Sequence, residues 1–177
     1  LANADNRENE ATEIQVQQFE KALEGALGPK SLANSAGILG WPNTHADWIR
    51  PGIALYGASP FIDGKPEKFE LKPAMTLKSQ LMSIRQCRKG DTISYGSRWH
   101  CPEDMLVGVV AIGYGDGYPR HAETGTPMLI RGQRVPIVGR VTMDMVCVDL
   151  RDLPEAEIGD EVILWGKDLP AGEIARH

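Results

Sequence analysis

The spacing of apolar positions changes once along the chain. From Thr12 to Leu27, Phe19, Ala22, Leu23, Ala26 and Leu27 recur at steps of three and four, which lines one face of a helix. Thr12-Glu13-Ile14-Gln15 has the form of a capping box, and Gly28-Pro29 is a stop signal. Ser31 to Ser35 then reads as a short strand ending in small polar residues. Ala36 to Asp47 carries Gly37, Gly40, Pro42 and Asn43 and reads as loop and short helix. Ile53 to Tyr56 is an apolar run of the length of a buried strand. Helix, strand, short helix, strand is the rhythm of an α/β barrel, and equally of half a doubly wound sheet.

After this the helical period disappears. Ser59 to Lys72, with Pro60, Asp63, Gly64, Lys65 and Pro66, reads as a polar, turn-rich linker. Met75 to Ile84, Leu106 to Ile112, Met128 to Ile130, Val135 to Val138, Val141 to Leu150 and Asp160 to Trp165 read as strands. Arg131-Gly132-Gln133 is a hairpin turn. Many short strands between Gly and Pro turns predict a β-sandwich or β-barrel. Gly113, Gly115 and Gly117 lack the following helix and the final spacing of a dinucleotide fingerprint, so Gly115-Asp116-Gly117 is read as a tight turn that could shape a pocket.

Composition narrows the classes. The chain has 177 residues and a formal net charge of -5, which argues against a nucleic-acid binder. No apolar run approaches the ~20 residues of a membrane span. Cys87, Cys101 and Cys147 are odd in number and widely spaced, which fits a reducing compartment and gives no disulfide or metal framework. His45 and His100 lack metal-ligand spacing and are read as structural, and Tyr118, Arg120 and His121 as turn and surface residues. The start at Leu1-Ala2-Asn3 and the end at Ala175-Arg176-His177, where a helix has just begun, both read as those of a fragment.

The densest chemistry lies at Asp47 to Gly57. Arg50 beside a buried strand needs a partner, either a carboxylate such as Asp47 or a ligand. Gly52 lets a ligand approach the backbone, and Pro51 removes one amide donor just before it. Tyr95 is either a packing tyrosine or a base, the latter only if nearby positive charge lowers its pKa. In an alternating strand, Met143 would be core and Asp144 would face solvent.

Five stretches carry a family resemblance: Asn34-Ser35-Ala36, Arg50-Pro51-Gly52-Ile53, Ser94-Tyr95-Gly96, Gly113-Tyr114-Gly115-Asp116-Gly117-Tyr118, and Val138-Gly139-Arg140-Val141-Thr142-Met143-Asp144. In this order they resemble the C-terminal part of an alanine racemase, an enzyme that uses pyridoxal 5'-phosphate. The fold this implies is α/β followed by all-β. Residues 1–58 would be the last part of a (β/α)8 barrel, 59–72 a linker and 73–177 a C-terminal β-barrel-like domain.

The implied activity is interconversion of L-alanine and D-alanine by two bases, in the cytoplasm, for cell-wall synthesis or alanine catabolism. Tyr95 would take the proton from the L-isomer, and a Schiff-base lysine would serve the D-isomer. Arg50 would face the pyridine nitrogen of the cofactor; Ser35 and the amides of Gly52 and Ile53 would hold its phosphate. Met143 would offer its backbone N–H to the substrate carboxylate, with Tyr114 and Asp144 lining the entrance. The tyrosine reaches the neighbouring subunit's cofactor in this family, which implies a homodimer.

None of Lys21, Lys30, Lys65, Lys68, Lys72, Lys78, Lys89 or Lys167 lies in the motif of the Schiff-base lysine. The 177 residues alone are therefore expected not to racemise alanine. Two other readings stay open. One is a pyridoxal-phosphate decarboxylase of the same layout, with Cys147 offered for its cysteine-centred site. The other is a non-enzymatic β domain that mediates assembly.

Overall fold

The computed structural model describes residues 1–62 and 69–177. Asp63, Gly64, Lys65 and Pro66, the centre of the expected linker, lie outside the described residues. The chain divides into two compact units, Leu1–Met75 and Thr76–His177.

In the first unit, helix α1 spans Ala11–Ala22. It ends short of the expected Leu27, because Gly25 takes a left-handed turn and Leu27 is left fully exposed. The capping box at Thr12 does not form. Glu10 is the N-cap without a side-chain bond, and the Asn9 side chain accepts from the Ala11 N–H at 2.9 Å. Thr12 instead lies inside the helix and is buried with Val16, so the inward stripe is Thr12, Val16, Phe19 and Leu23. Helix α2 covers Ser35–Gly40, with the Asn34 side chain accepting from the Gly37 N–H at 2.9 Å.

The strands expected on either side of α2 are displaced. Parallel pairing occurs at Ser31 and Trp48 and continues with the Arg50 N–H donating to the Ala33 carbonyl at 2.9 Å. Ile53–Leu55 is not a buried strand but an exposed 3-10 helix. Gly52, at φ -115 and ψ -98, leaves extended geometry, and the amides of Leu55, Tyr56 and Gly57 then bond back three residues. Phe61 and Phe69 pack 5.1 Å apart in a small core with Ala4 and Ala36.

The second unit is all-β apart from short helical turns. Its strands are β1 Leu77–Cys87, β2 Thr92–Ile93, β3 Trp99–His100, β4 Met105–Val110, β5 Pro127–Ile130, β6 Gln133–Pro136, β7 Val146–Asp149 and β8 Glu161–Trp165. Six of them form an antiparallel sheet ordered β6-β5-β8-β1-β4-β7. Register shifts at Leu77/Lys78 and Leu81/Ser83 bend β1, so its first half pairs with β8 and its second with β4. The two edges meet where Ile137 bridges Val148, and the Val138 N–H donates to the Cys147 carbonyl at 2.9 Å. The sheet thus curls into a nearly closed barrel filled by Leu81, Val110, Met128, Ile130, Val146 and Leu164. β5 and β6 are joined by Arg131-Gly132 with φ of +50 and +78, the mirror-image turn that suits a twisted hairpin. Helix α3, Ala171–Ile174, follows. Among the described residues, no helix is long and apolar enough to cross a membrane.

Tyr118 is a correction to the sequence reading. It is 1% exposed and stacks on Trp165 at 5.9 Å, and its hydroxyl has no partner among the described residues. Burial pushes its phenol up to about 12. An unfolded chain ionises its tyrosine near pH ~10, so the Tyr118 contribution to stability is constant below that and falls as pH rises from about 10 to about 12. Tyr118→Phe is expected to remove this alkaline loss. At neutral pH it should leave stability unchanged or raise it by about 1 kcal/mol, because no hydrogen bond is forfeited. Thermal melts at neutral and alkaline pH check both expectations; a neutral-pH loss above about 2 kcal/mol would show that the hydroxyl has a partner.

Candidate functional site

In the first unit, the N-terminal turn of α2 and the Arg50–Ile53 segment line a cleft of about 380 Å³. Ser35 is buried, and its hydroxyl accepts from the Gly52 N–H at 2.8 Å and the Ala54 N–H at 3.3 Å. With both bonds accepted, its own proton is available for an acceptor in the cleft. The Ile53 N–H has no acceptor among the described residues. A side-chain carbon at Gly52 would meet only the Ser35 hydroxyl, at 3.8 Å, so the space beside its backbone is open.

Arg50 does not pair with Asp47. Its Nη1 donates to the Ser31 carbonyl at 3.0 Å and to the Ser31 hydroxyl, while Asp47 accepts from the Lys30 N–H at 2.7 Å. Hydroxyl, amide and guanidinium donors make a set suited to phosphate and to a ring nitrogen that accepts a hydrogen bond. Among the described residues, Asp5 is the one acidic residue on the lining. Pyridoxal phosphate, with an anionic group and such a nitrogen, fits this donor set.

In the second unit, three turns carry the other candidates. Tyr95 opens a 3-10 turn, Tyr95–Ser97, between β2 and β3 and is 73% exposed. Tyr114 opens the 3-10 turn Tyr114–Asp116, and the Arg120 guanidinium lies 5.1 Å from its ring centre. Met143 and Asp144 do not belong to a strand. The expected strand Val141–Leu150 is only Val146–Asp149, because the Thr142 hydroxyl donates to the Met145 carbonyl at 2.8 Å and tightens a turn ahead of it. Met143 is consequently 56% exposed rather than core, Asp144 is exposed, and the Met143 N–H has no acceptor among the described residues.

These turns are pinned together through backbone. The Tyr114 N–H donates to the Thr142 carbonyl at 3.0 Å, and the Gly115 N–H to the Met143 carbonyl at 2.8 Å. A side chain at Gly113 would collide with both carbonyls, so only glycine permits this approach. Gly139, at φ +75, lets its backbone lie against Ile93 and Ser94, where an added carbon would sit 2.9 Å from the Ile93 carbonyl and from the Ser94 side chain. Sequence reasoning assigned no role to Ser94, Gly113, Gly139 or Arg140. Gly113 and Gly139, each inside one of the motifs, were the available signal.

Cys147 does not stand in a cysteine-centred polar site. It is half-buried in β7, and burial pushes its thiol up. It packs with Cys87, Cys101, Met105, Val107 and Val138 in an apolar cluster. Among the described residues, no group of three or more His, Cys, Asp or Glu side chains is placed to hold a metal ion.

Family models place residues 74–177 in the alanine racemase C-terminal domain and residues 1–60 in the alanine racemase N-terminal domain. The alanine racemase of Halorhodospira halophila is 55% identical over 175 residues, covering 99% of this chain and 48% of that protein. That of Coxiella burnetii is 52% identical over 180 residues, covering 99% of this chain and 50% of that protein. Among solved structures, the biosynthetic alanine racemase of Pseudomonas aeruginosa superposes with a TM-score of 0.83 at 47% identity, covering 99% of this chain and 49% of that one. The alanine racemase of Bartonella henselae with covalently bound pyridoxal phosphate gives 0.80 at 30% identity, covering 99% and 49%. The chain thus spans about half the length of the relatives it matches.

Proposed function

The chain belongs to the alanine racemase family, and we propose that the full-length protein carrying it interconverts L-alanine and D-alanine with pyridoxal 5'-phosphate as cofactor. The observation that carries this reading is the locked set of turns presenting Tyr95, Tyr114 and Met143-Asp144 on one unit. Residues 1–58 are the last part of a (β/α)8 barrel, 59–72 a linker, and 73–177 the C-terminal β domain. The protein is a cytoplasmic homodimer in which Tyr95 serves the cofactor seated in the partner's barrel.

When bound, the cofactor supplies an electron sink for the carbanion formed at the alanine Cα. Ser35 and the amides of Gly52 and Ile53 would hold its phosphate, the Gly52 N–H being shared with the Ser35 hydroxyl. Arg50 would face the pyridine nitrogen, and because a guanidinium does not give up its proton, that nitrogen would stay unprotonated. Arg50 in that position would favour return of the proton to Cα over transamination. Tyr95 Oη takes the proton from the L-isomer. A lysine outside residues 1–177 acts on the opposite face. The Met143 N–H binds the substrate carboxylate, and Tyr114 and Asp144 line the entrance.

Two measurements test this. The full-length protein with cofactor should form D-alanine from L-alanine; release of carbon dioxide would instead favour a decarboxylase, and no turnover a non-enzymatic assembly domain. Arg50→Glu should protonate the ring nitrogen, slow racemisation by about a hundredfold and raise long-wavelength absorbance and pyruvate formation from alanine. An unchanged spectrum without pyruvate would remove Arg50 from that position.

A further inference from the structure

We propose that Ser94 is a positioning residue, a strained tether that fixes the Tyr95 phenol in its productive direction. This rests on the reading of Tyr95 as the base for L-alanine. Ser94 has φ +65 and ψ -177, a conformation that belongs essentially to glycine. The turn then continues through Gly96 at φ +80 and Ser97 at φ +47, so three of the four residues from 94 to 97 are left-handed. A run of this kind does not persist unless its surroundings impose it.

The surroundings are on the neighbouring turn. The Ser94 hydroxyl donates to the Arg140 carbonyl at 2.8 Å. Gly139 closes on Ile93 and Ser94 from the same side, at the distance only a missing side chain allows. Gly139 is itself held from behind, its N–H donating to the Thr124 hydroxyl at 3.2 Å. The segment that follows, Thr142–Met143, carries the proposed carboxylate-binding amide. One hydroxyl therefore links the turn bearing the base to the turn that binds substrate. Tyr95, exposed as it is, has little packing of its own to aim it.

Two substitutions separate tether from strain. Ser94→Ala removes the hydroxyl but keeps the side-chain carbon that disfavours φ +65, so the turn relaxes and Tyr95 swings away. Ser94→Gly also removes the hydroxyl, yet glycine holds φ +65 without cost. Alanine should therefore harm the full-length holoenzyme more than glycine, the reverse of the usual order. We expect kcat to fall about tenfold or more in Ser94→Ala and about threefold in Ser94→Gly, with KM within about twofold.

The isotope effect gives a readout that general loosening would not move. If proton transfer at Tyr95 is slowed, the effect of Cα-deuterium should rise with L-alanine as substrate and fall with D-alanine. Should Ser94→Ala be too unstable to assay, the same asymmetry in Ser94→Gly carries the test. Ser94→Ala turning over like the parent, glycine proving worse than alanine, or equal isotope changes for both isomers would each overturn the proposal. Tyr95→Phe runs alongside as control. If that variant is fully active, the base assignment has failed; if it is crippled while both Ser94 variants match the parent, only the tether has failed.

Discussion

Tyr95→Phe in the full-length protein is expected to lower alanine turnover about a thousandfold in both directions while leaving the fold and cofactor binding intact. The phenol is largely exposed, so deleting one oxygen removes no packing. Both directions suffer because enantiomers are equal in free energy in water; kcat/KM for the two must therefore fall together. Kinetic assays of both isomers and the cofactor's absorbance check this. Turnover within about twofold of the parent would place the base elsewhere.

The second large effect is expected at Gly113. Its φ of -148 is ordinary extended backbone, so alanine there meets no conformational penalty. The penalty is steric: the new carbon would sit inside the carbonyls of Thr142 and Met143, and neither is a side chain that can swing aside. The Tyr114 and Met143 turns must part. Gly113→Ala should cost about 3 kcal/mol of stability or more and lower turnover at least about a hundredfold. Gly117→Ala is the contrasting case. That glycine has φ +94 but open space around it, so only backbone strain of about 1–2 kcal/mol applies and turnover should stay close to the parent's. Equal melting temperatures and rates for Gly113→Ala and the parent would mean the turns are not held as described.

What sequence revealed depended on which interaction decides each element. β4 and the β5–β6 hairpin were legible because a continuous apolar run and an Arg-Gly turn determine them locally. Ile53–Leu55 was not, since its apolar residues have the length of a strand but Pro51-Gly52 sends the backbone into a helical turn. Val141 to Leu150 alternates like a strand throughout, yet the Thr142 hydroxyl captures the Met145 carbonyl and converts its first half into the turn that exposes Met143. Tyr118 was misplaced because its Gly- and Pro-rich neighbourhood reads as surface, while contact with Trp165 decides its burial. Within the candidate site, Arg50 and Gly52 stood out as charge and glycine beside an apolar run. Tyr95 emerged only through the resemblance, as one tyrosine in a tripeptide carries no pattern. Ser94 entered only as the first residue of that tripeptide and without a role, for its distinguishing feature is a dihedral angle.

The most direct test follows deuterium from heavy water into alanine on the full-length Tyr95→Phe holoenzyme. With the lysine face intact and the phenol gone, D-alanine should take up deuterium at Cα and remain D-alanine, while L-alanine takes up none. Uptake into L-alanine as fast as into D-alanine would contradict the assignment of Tyr95 as the base on that face.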